Sequence, residues 1–259
     1  MNKNVFAGKT VWLIGASTGI GRALALELSR RGARLALSAR NRSALDALAE
    51  ETGRTEHVVL PLDVTDGAGI RAAFATAEAQ LGAIDHVILL SASYTPMALS
   101  ALDMPKVSEM ISTNLGAAFD VIDTVLPAMR ARRSGQIALC GSVAGYVGLP
   151  NGQPYSATKA AIMNLAQSLR AEEAAHGIDV RLISPGFVRT PLTDKNDFAM
   201  PAMMTPEDAA RRLADGLAGR SFEIHFPRRF TYVMKALACL PYRLYFAAVR
   251  RFVPAKTGH

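Results

Sequence analysis

The segment Ile14-Gly15-Ala16-Ser17-Thr18-Gly19-Ile20-Gly21 follows an apolar run, and a helical pattern begins within it and continues to residue 31. Glycines at these spacings allow the backbone to turn tightly, to approach a pyrophosphate closely and to pack the helix on the preceding strand. The phosphates then meet free N–H groups at the positive end of the helix. Such a turn also fits an ordinary strand-to-helix connection, but its position after the first strand favours a dinucleotide site.

Apolar runs and amphipathic stretches alternate through the rest of the chain. The runs are mostly continuous, which is typical of parallel strands buried on both faces, and they cover residues 10–15, 34–39, 57–61, 86–92, 136–142, 179–184 and 222–226. Helical patterns cover residues 19–31, 43–51, 67–81, 104–132, 155–176 and 206–217. This order predicts a single doubly wound α/β domain, a Rossmann-type parallel sheet of about seven strands with helices on both faces. We assign residues 1–227 to it, including a substrate lid at 187–206, and residues 228–259 to a C-terminal extension of the same domain.

The composition excludes several classes of function. The chain has 259 residues, of which 50% are hydrophobic, yet no stretch reaches the roughly 18 uncharged apolar residues that a membrane-spanning helix needs. No N-terminal segment indicates export, and two cysteines, Cys140 and Cys239, are too few for a disulfide framework or a cysteine-rich metal site. We expect a cytoplasmic protein without a metal centre. The net charge of +7 arises in residues 220–259, and no motif for nucleic-acid binding accompanies it.

The end of the second apolar run indicates which dinucleotide is bound. An acidic residue there would bind the ribose 2′-hydroxyl of NAD, whereas an arginine accepts the 2′-phosphate of NADP. The run ends in Ala39-Arg40-Asn41-Arg42 and contains no acid. Arg40, with Arg42 as a second donor, can form charge-assisted hydrogen bonds to that phosphate. The alternative is a pair of solvated arginines at the start of the next helix. We predict NADP(H) in preference to NAD(H).

Three residues form a candidate catalytic set. Tyr155 and Lys159 are four residues apart within a helical pattern, so they share one face of the helix. A nearby ammonium group favours the phenolate and is expected to lower the pKa of the tyrosine, which suits general acid–base catalysis. Ser142 ends a strand thirteen residues earlier, where its hydroxyl can bind a substrate carbonyl. The pair alone would also fit a solvated helix face, but Ser142 and the glycine-rich turn favour catalysis.

Taken together, these motifs resemble those of the short-chain dehydrogenase/reductase (SDR) family over about residues 8–226. The resemblance implies a strand order of 3-2-1-4-5-6-7, proton transfer by Tyr155, an electrostatic and ribose-binding role for Lys159, carbonyl polarisation by Ser142 and a water relay at Asn114. It implies that Asp63, in Leu62-Asp63-Val64, contacts the adenine and that Thr190 contacts the nicotinamide carboxamide. The implied cofactor-binding residues are Gly15, Ser17, Thr18, Gly19, Ile20, Gly21, Arg40, Asp63, Val64, Ala92, Tyr155, Lys159, Pro185, Gly186, Val188 and Thr190.

Two segments depart from the family pattern. Ile14 stands where the family has threonine, and Leu90-Ser91-Ala92-Ser93 stands where the family has Asn-Asn-Ala-Gly. The serines supply fewer hydrogen-bond donors than asparagines do. The main hypothesis is an NADP(H)-dependent oxidoreductase acting on a carbonyl or alcohol. The alternative is a non-catalytic nucleotide sensor or scaffold, which the altered 90–93 segment favours and the intact catalytic set opposes.

The substrate side and the C-terminal tail are rich in apolar residues. The predicted lid contains Phe187, Leu192, Phe198, Met200, Met203 and Met204, with Tyr94, Pro96, Met97 and Leu149 nearby. This composition favours a hydrophobic, lipid-like substrate, although the same side chains could pack on the core. Residues 228–253 form a basic amphipathic pattern that Pro241 would kink or split. Its apolar face could cover the substrate pocket or a neighbouring subunit, or the segment could lie on a membrane surface. Family resemblance implies a homodimer or homotetramer through residues 104–132 and 155–176.

Overall fold

A seven-stranded parallel sheet organises the protein in a computed structural model that describes residues 5–196 and 198–252. The strands lie in the order β3-β2-β1-β4-β5-β6-β7, as predicted. They are β1 Thr10–Ile14, β2 Arg34–Ala39, β3 Val58–Pro61, β4 His86–Leu89, β5 Gly135–Cys140, β6 Ile178–Pro185 and β7 Glu223–Phe226. The helices are α1 Gly19–Arg30, α2 Arg42–Glu51, α3 Gly67–Leu81, α4 Met104–Ile111, α5 Ala117–Arg132, α6 Tyr155–Glu173, α7 Pro206–Leu217, α8 Arg228–Ala238 and α9 Tyr242–Phe252.

The sheet separates two hydrophobic clusters, which explains why its strands are continuously apolar. Along β1, Val11 and Leu13 face the cluster under α1, α2 and α7, whereas Trp12 and Ile14 face the cluster under α3, α5 and α6. All four side chains are fully buried. Alternate residues of a strand point to opposite faces, so a strand covered on both faces needs apolar residues at every position. The predicted α/β class and covered parallel sheet are confirmed.

The long helix predicted for residues 104–132 is interrupted. Helix α4 ends at Ile111, a π-helical turn spans Ser112–Gly116, and α5 begins at Ala117. A π-helical turn inserts an extra residue into the helical ladder and often marks a functional position. Asn114 lies in the middle of this turn and is almost completely buried. The apolar periodicity continues across the interruption, so the sequence pattern did not reveal it.

The C-terminal extension forms two helices that pack on the sheet domain. Pro241 lies between α8 and α9, which confirms that the predicted helix is split there. Residue 253, the last of the predicted amphipathic segment, lies outside the described residues. Met234 of α8 and Tyr245 and Val249 of α9 are buried, but Val233, Leu240 and Leu244 are exposed. The predicted apolar face is therefore divided between the protein interior and solvent. Among the described residues, no helix is both long and apolar enough to cross a membrane.

Candidate active site

The glycine-rich turn packs so closely on its neighbours that side chains are excluded from it. Gly15 has a φ of +96°, and a Cβ atom there would lie 2.6 Å from the backbone nitrogen of Ser91. A Cβ atom on Gly21 would lie 2.0 Å from the carbonyl oxygen of Gly15. These contacts hold the start of α1 against the carboxyl ends of β1 and β4. Glycine is needed at both positions because any other residue would displace backbone.

The N-terminus of α1 fits a pyrophosphate. Thr18 is the N-cap residue, but its side chain accepts no hydrogen bond from the helix. The first N–H groups of a helix have no partner within it, so they remain able to bind an anion. A Cβ atom on Gly19 would lie 2.7 Å from the methyl group of Thr190. The turn that contains Ser17, Thr18 and Ile20 therefore adjoins the loop after β6, which carries the residues implied to contact the nicotinamide.

The residues that the family resemblance implies for the adenosine lie beyond β2 and β3. Arg40 follows β2 directly and is exposed, and within the described residues no carboxylate lies within 4.0 Å of it. Arg42, in contrast, lies 3.6 Å from Asp46 on the next turn of α2. Asp63 accepts hydrogen bonds from the backbone N–H and hydroxyl of Thr65, and these bonds lower the pKa of its carboxyl. Of these two arginines, Arg40 is therefore the one without a close carboxylate among the described residues. Val64 is buried beside Asp63, and Ala92 is half-buried after β4.

Ser142, Tyr155 and Lys159 meet at the carboxyl end of β5. Lys159 is 1% exposed, and its ammonium donates a hydrogen bond of 2.8 Å to the carbonyl oxygen of Cys140, the last residue of β5. Its Nζ atom lies 5.5 Å from the centre of the Tyr155 ring. Ser142 is buried and accepts a hydrogen bond of 3.1 Å from the N–H of Ala144. The structure therefore brings together the three residues that the sequence analysis proposed.

The pKa of Tyr155 shifts in the direction opposite to the predicted one. Burial raises the pKa of the phenol above its ordinary value, and the neighbouring thiol of Cys140 acts in the same direction. The Ser142 hydroxyl has a weaker, lowering effect. Burial also lowers the pKa of Lys159, whose ammonium is already bound to the Cys140 carbonyl. The cost of placing a charge in this buried site favours the neutral phenol, which is therefore held in its protonated form.

Asn114 connects the π-helical turn to the loop after β4. Its side-chain oxygen accepts a hydrogen bond of 2.7 Å from the N–H of Ser93. Its amide nitrogen donates to the carbonyl of Ser93 at 2.9 Å and to the hydroxyl of Thr158 at 3.2 Å. Thr158 precedes Lys159 on α6. Asn114 therefore lies beside the catalytic set, and its side chain fixes the altered 90–93 segment.

The loop after β6 continues into the predicted lid. Pro185 ends β6, and Gly186 packs against the C-terminal extension, since a Cβ atom there would lie 3.1 Å from Phe230. Thr193 donates a hydrogen bond of 2.7 Å to the carbonyl of Val188 and accepts one of 2.9 Å from the N–H of Thr190. These bonds fold the first part of the lid onto the residues implied to bind the cofactor.

Several residues that support the site were not proposed from the sequence. A Cβ atom on Gly145 would lie 2.8 Å from the α6 backbone, so this glycine allows the Ser142 loop to reach Tyr155. Tyr146 donates a hydrogen bond of 2.5 Å to Glu223 on β7, and Glu223 also pairs with Lys235 on α8. This group ties the Ser142 loop to the C-terminal extension. These side-chain contacts join residues 12 and 77 positions apart, and no local motif identifies them.

Comparisons with known proteins identify the family. The profile of the short chain dehydrogenase family matches residues 9–200. An uncharacterized oxidoreductase of Myxococcus xanthus is 34% identical over 245 residues, covering 94% of this chain and 97% of that protein. The 3-oxoacyl-[acyl-carrier-protein] reductase FabG of Escherichia coli is 32% identical over 188 residues, covering 73% of this chain and 77% of FabG. A short-chain dehydrogenase from Streptomyces avermitilis has the same fold, with a TM-score of 0.78 at 24% identity and 94% coverage of both chains.

The chain belongs to the short-chain dehydrogenase/reductase family. Members of this family are oxidoreductases that use NAD(P), so the predicted enzyme class and the predicted fold are confirmed.

Proposed function

We propose that this protein is an NADPH-dependent carbonyl reductase with Tyr155 as its general acid. The observation that carries the proposal is the convergence of Ser142, Tyr155 and Lys159 beside the glycine-rich turn. Because burial raises the pKa of Tyr155, its phenol stays protonated near neutral pH and can donate a proton. A protonated donor is the form that carbonyl reduction consumes, whereas alcohol oxidation would need the phenolate. The protonated phenol is therefore competent to donate the proton that carbonyl reduction requires.

Each residue of the set has a separate task in this proposal. The nicotinamide supplies the hydride when it is bound. The Ser142 hydroxyl binds and orients the carbonyl oxygen, and Tyr155 donates its proton to that oxygen as negative charge develops. Lys159 stays fixed by the Cys140 carbonyl and stabilises the phenolate that remains. Asn114 supports the water relay that returns a proton to Tyr155.

The residues present fit NADP(H) better than NAD(H). Uncapped N–H groups of α1 suit the pyrophosphate, and the exposed, unpaired Arg40 suits a 2′-phosphate. Asp63 and Val64 would flank the adenine, with Ala92, Pro185, Gly186, Val188 and Thr190 along the nicotinamide half. No acid follows β2 to receive a ribose 2′-hydroxyl.

The central test is turnover of NADPH with ketones and aldehydes of increasing chain length. We expect kcat/KM to rise with chain length, and Tyr155→Phe to lose nearly all turnover while NADPH binding, followed by fluorescence, stays within about twofold. The removed hydroxyl is the proton donor, so the loss should reach at least the roughly 10²- to 10⁴-fold that acid catalysis contributes. Binding of NADPH without turnover of any carbonyl would instead favour a nucleotide sensor or scaffold. Substantial activity in Tyr155→Phe would contradict the assigned acid.

Aromatic contacts in the lid and a cavity beside the C-terminal helices support a hydrophobic substrate. Phe187 packs against Phe198 and Phe230, with ring centres 6.0 and 5.5 Å apart. A cavity of about 280 Å³ lies between the 146–148 loop and the C-terminal helices, and its wall includes Val147, Leu237 and Leu240. The FabG relative is named for a 3-oxoacyl substrate, which carries a ketone on an acyl chain. We therefore propose acyl-type ketones as the first substrates to test.

We also propose that the protein self-associates through helices α4, α5 and α6. Met104, Ile111 and Phe119 are exposed along α4 and α5, where water would otherwise contact large apolar side chains. A homodimer or homotetramer through α4, α5 and α6 would bury them. Sedimentation velocity should show an oligomer that Phe119→Ser weakens. A monomeric wild-type protein at micromolar concentration would contradict this.

The C-terminal extension has the surface expected for contact with an anionic membrane. The described stretch 228–251 contains no acidic residue, and Arg228, Arg229, Arg243, Arg250 and Arg251 have no carboxylate within 4.0 Å among the described residues. Between these arginines, Tyr232, Val233, Leu240, Tyr242, Leu244 and Phe246 are exposed, and Tyr242 retains 80% of its surface. Arginines interspersed with exposed aromatic and aliphatic side chains suit an interface between water and anionic lipid.

Vesicle sedimentation tests this membrane contact. Each basic side chain near an anionic surface contributes about 1 kcal/mol, so Arg243→Gln combined with Arg250→Gln should weaken binding to phosphatidylglycerol-containing vesicles roughly 30-fold. Arg71→Gln, which removes an exposed arginine from α3, is the matched control. Binding should fall with salt and be absent with purely zwitterionic vesicles. Failure to bind anionic vesicles at low salt, or equal losses in the control, would leave a subunit or the substrate pocket as the partner of this surface.

A further inference from the structure

Tyr94 lies where the loop after β4 meets both the catalytic tyrosine and the lid. It is 8% exposed, and its ring centre lies 5.0 Å from that of Tyr155 in an edge-to-face arrangement with an interplanar angle of 68°. Edge-to-face pairs are favoured by the quadrupoles of the two rings and restrict the orientation of both. Tyr94 therefore limits how the ring of the proton donor can rotate.

The same residue holds the lid at two points. Its hydroxyl donates a hydrogen bond of 2.8 Å to the side-chain oxygen of Asn196. Its backbone carbonyl accepts a hydrogen bond of 2.8 Å from the ammonium of Lys195. Both partners belong to the lid and lie about 100 residues away in sequence, as the separations of 101 and 102 show.

The backbone of the loop after β4 is held in place by the π-helical turn. Ser93, the preceding residue, exchanges two hydrogen bonds with the side chain of Asn114 in the π-helical turn. On the other side, Thr193 ties the lid to Val188 and Thr190. The contacts therefore run without a break from Asn114 through Tyr94 to the segment proposed to hold the nicotinamide.

We propose that Tyr94 is a positioning residue that couples closure of the lid to the orientation of Tyr155. Its ring sets the direction of the phenol, and its hydroxyl and carbonyl keep the lid folded over the same site. A loosened lid would thereby free the proton donor, and an ordered lid would align it. The proposal rests on the proposed carbonyl reductase function for its catalytic part, but the coupling of loop and lid can be measured without turnover.

The first experiment measures how firmly the hydrogen bond between Tyr94 and Asn196 holds the lid. Trypsin can cleave after Lys195, and cleavage requires the lid to leave the surface. Loss of a hydrogen bond should increase the cleavage rate of Tyr94→Phe roughly 2- to 12-fold. Asn196→Ala should raise the rate at least as much, because it also removes a contact of 3.3 Å between the Asn196 amide and the Met200 sulfur. The double variant should be no faster than the faster single variant, because both changes remove the same bond between Tyr94 and Asn196. Thr76→Val, which removes an exposed hydroxyl on α3, is the control and should cleave at the wild-type rate.

The second experiment measures the effect on the proton donor. The titratable groups that face the Tyr155 phenol are Tyr94, Cys140 and Lys159, with the hydroxyl of Ser142 alongside. Tyr94→Leu removes the ring that shields the phenol, so kcat should fall and the alkaline limb of its pH profile should move to lower pH. Tyr94→Phe keeps the ring, so it should raise KM several-fold and leave kcat and the position of the limb nearly unchanged. A residue that only stabilised the fold would not separate the two variants in this way.

Two results would overturn the proposal. The first is a double variant whose increase in cleavage rate equals the product of the two single increases, since effects that are additive in free energy mean that the two side chains act independently. The second is an unchanged pH profile in Tyr94→Leu, which would show that the ring does not govern the phenol. If the wild-type protein reduces no carbonyl, the proposed function fails. The proteolysis series still decides whether Tyr94 and Asn196 hold the lid together.

Discussion

Replacing Arg40 with glutamine gives the sharpest test of cofactor preference. The guanidinium of Arg40 has no carboxylate within 4.0 Å among the described residues, so the substitution breaks no close ion pair and removes only a longer-range attraction to the Asp63 carboxyl. A hydrogen bond to a charged group contributes about 1.5–3 kcal/mol, but exposed ion pairs contribute only about 0–1 kcal/mol. Because Arg40 is exposed, we take an intermediate value of about 1–2 kcal/mol. This corresponds to a loss of roughly 5- to 30-fold in kcat/KM for NADPH.

The assay compares kcat/KM for NADPH and NADH in wild type, Arg40→Gln and Arg42→Gln. NADH lacks the 2′-phosphate, so its kcat/KM should change less than twofold in either variant. Arg42 already lies 3.6 Å from Asp46, and its replacement should cost NADPH much less. The preference for NADPH should also decline with added salt, which screens an exposed charge. Equal losses for both cofactors, or an equal effect of Arg42→Gln, would refute the reasoning.

Three further predictions concern the pKa of Tyr155, the packing of Gly145 and the ion pair of Glu223. The raised pKa of Tyr155 keeps the phenol protonated, so kcat for reduction should be nearly constant from about pH 6 to about pH 8 while alcohol oxidation rises with pH; a reduction rate that falls near pH 7 would contradict this. Gly145→Ala should cost about 1–3 kcal/mol of stability by crowding α6, whereas Gly148→Ala, which has open space around it, should leave the melting temperature unchanged; equal shifts would exclude the crowding argument. Glu223 has a lowered pKa, because bonds from Lys235 and its neighbours outweigh the effect of burial, so its stabilisation is present above its ordinary pKa near 4.5 and is lost as pH falls through the folded value. Thermal melts should show Glu223→Gln less stable by about 1 kcal/mol at pH 7, with the difference vanishing in acid, and a difference that grows in acid would reverse the sign.

Local patterns were sufficient for the fold and for the placement of the catalytic set. Continuous apolar runs predicted buried parallel strands, and the resemblance supplied their order, since sheet order follows from long-range pairing that periodicity does not report. The spacing of Tyr155 and Lys159 predicts both on α6, as observed. The predicted strand at 136–142 ends instead at Cys140, so Ser142 lies two residues beyond β5 and caps the short helical turn Val143–Gly145. The residues implied to bind the cofactor, and their roles, stay predictions.

The features that sequence reasoning missed depend on contacts between distant segments. The π-helical turn around Asn114 preserves the apolar period of α4 and α5, so it leaves no gap in the pattern. The bond between Tyr94 and Asn196 joins residues 102 positions apart. The prediction of a lowered pKa for Tyr155 is wrong in direction, because spacing reveals the nearby ammonium group but not the burial that raises the pKa. The sequence pattern predicts a single C-terminal apolar face, although packing on the sheet domain buries only part of it.

The C-terminal extension contacts the loops after β5 and β6, where we propose that the substrate binds, at separate points. Gly186 packs against Phe230, Tyr146 reaches α8 through Glu223, and the Tyr245 hydroxyl donates to the carbonyl of Gly148. Strands β1 to β3, with the glycine-rich turn and Arg40, lie on the opposite half of the sheet. Substitutions in α8 and α9 can therefore alter ligand selection without disturbing the half of the sheet to which we assign the nucleotide.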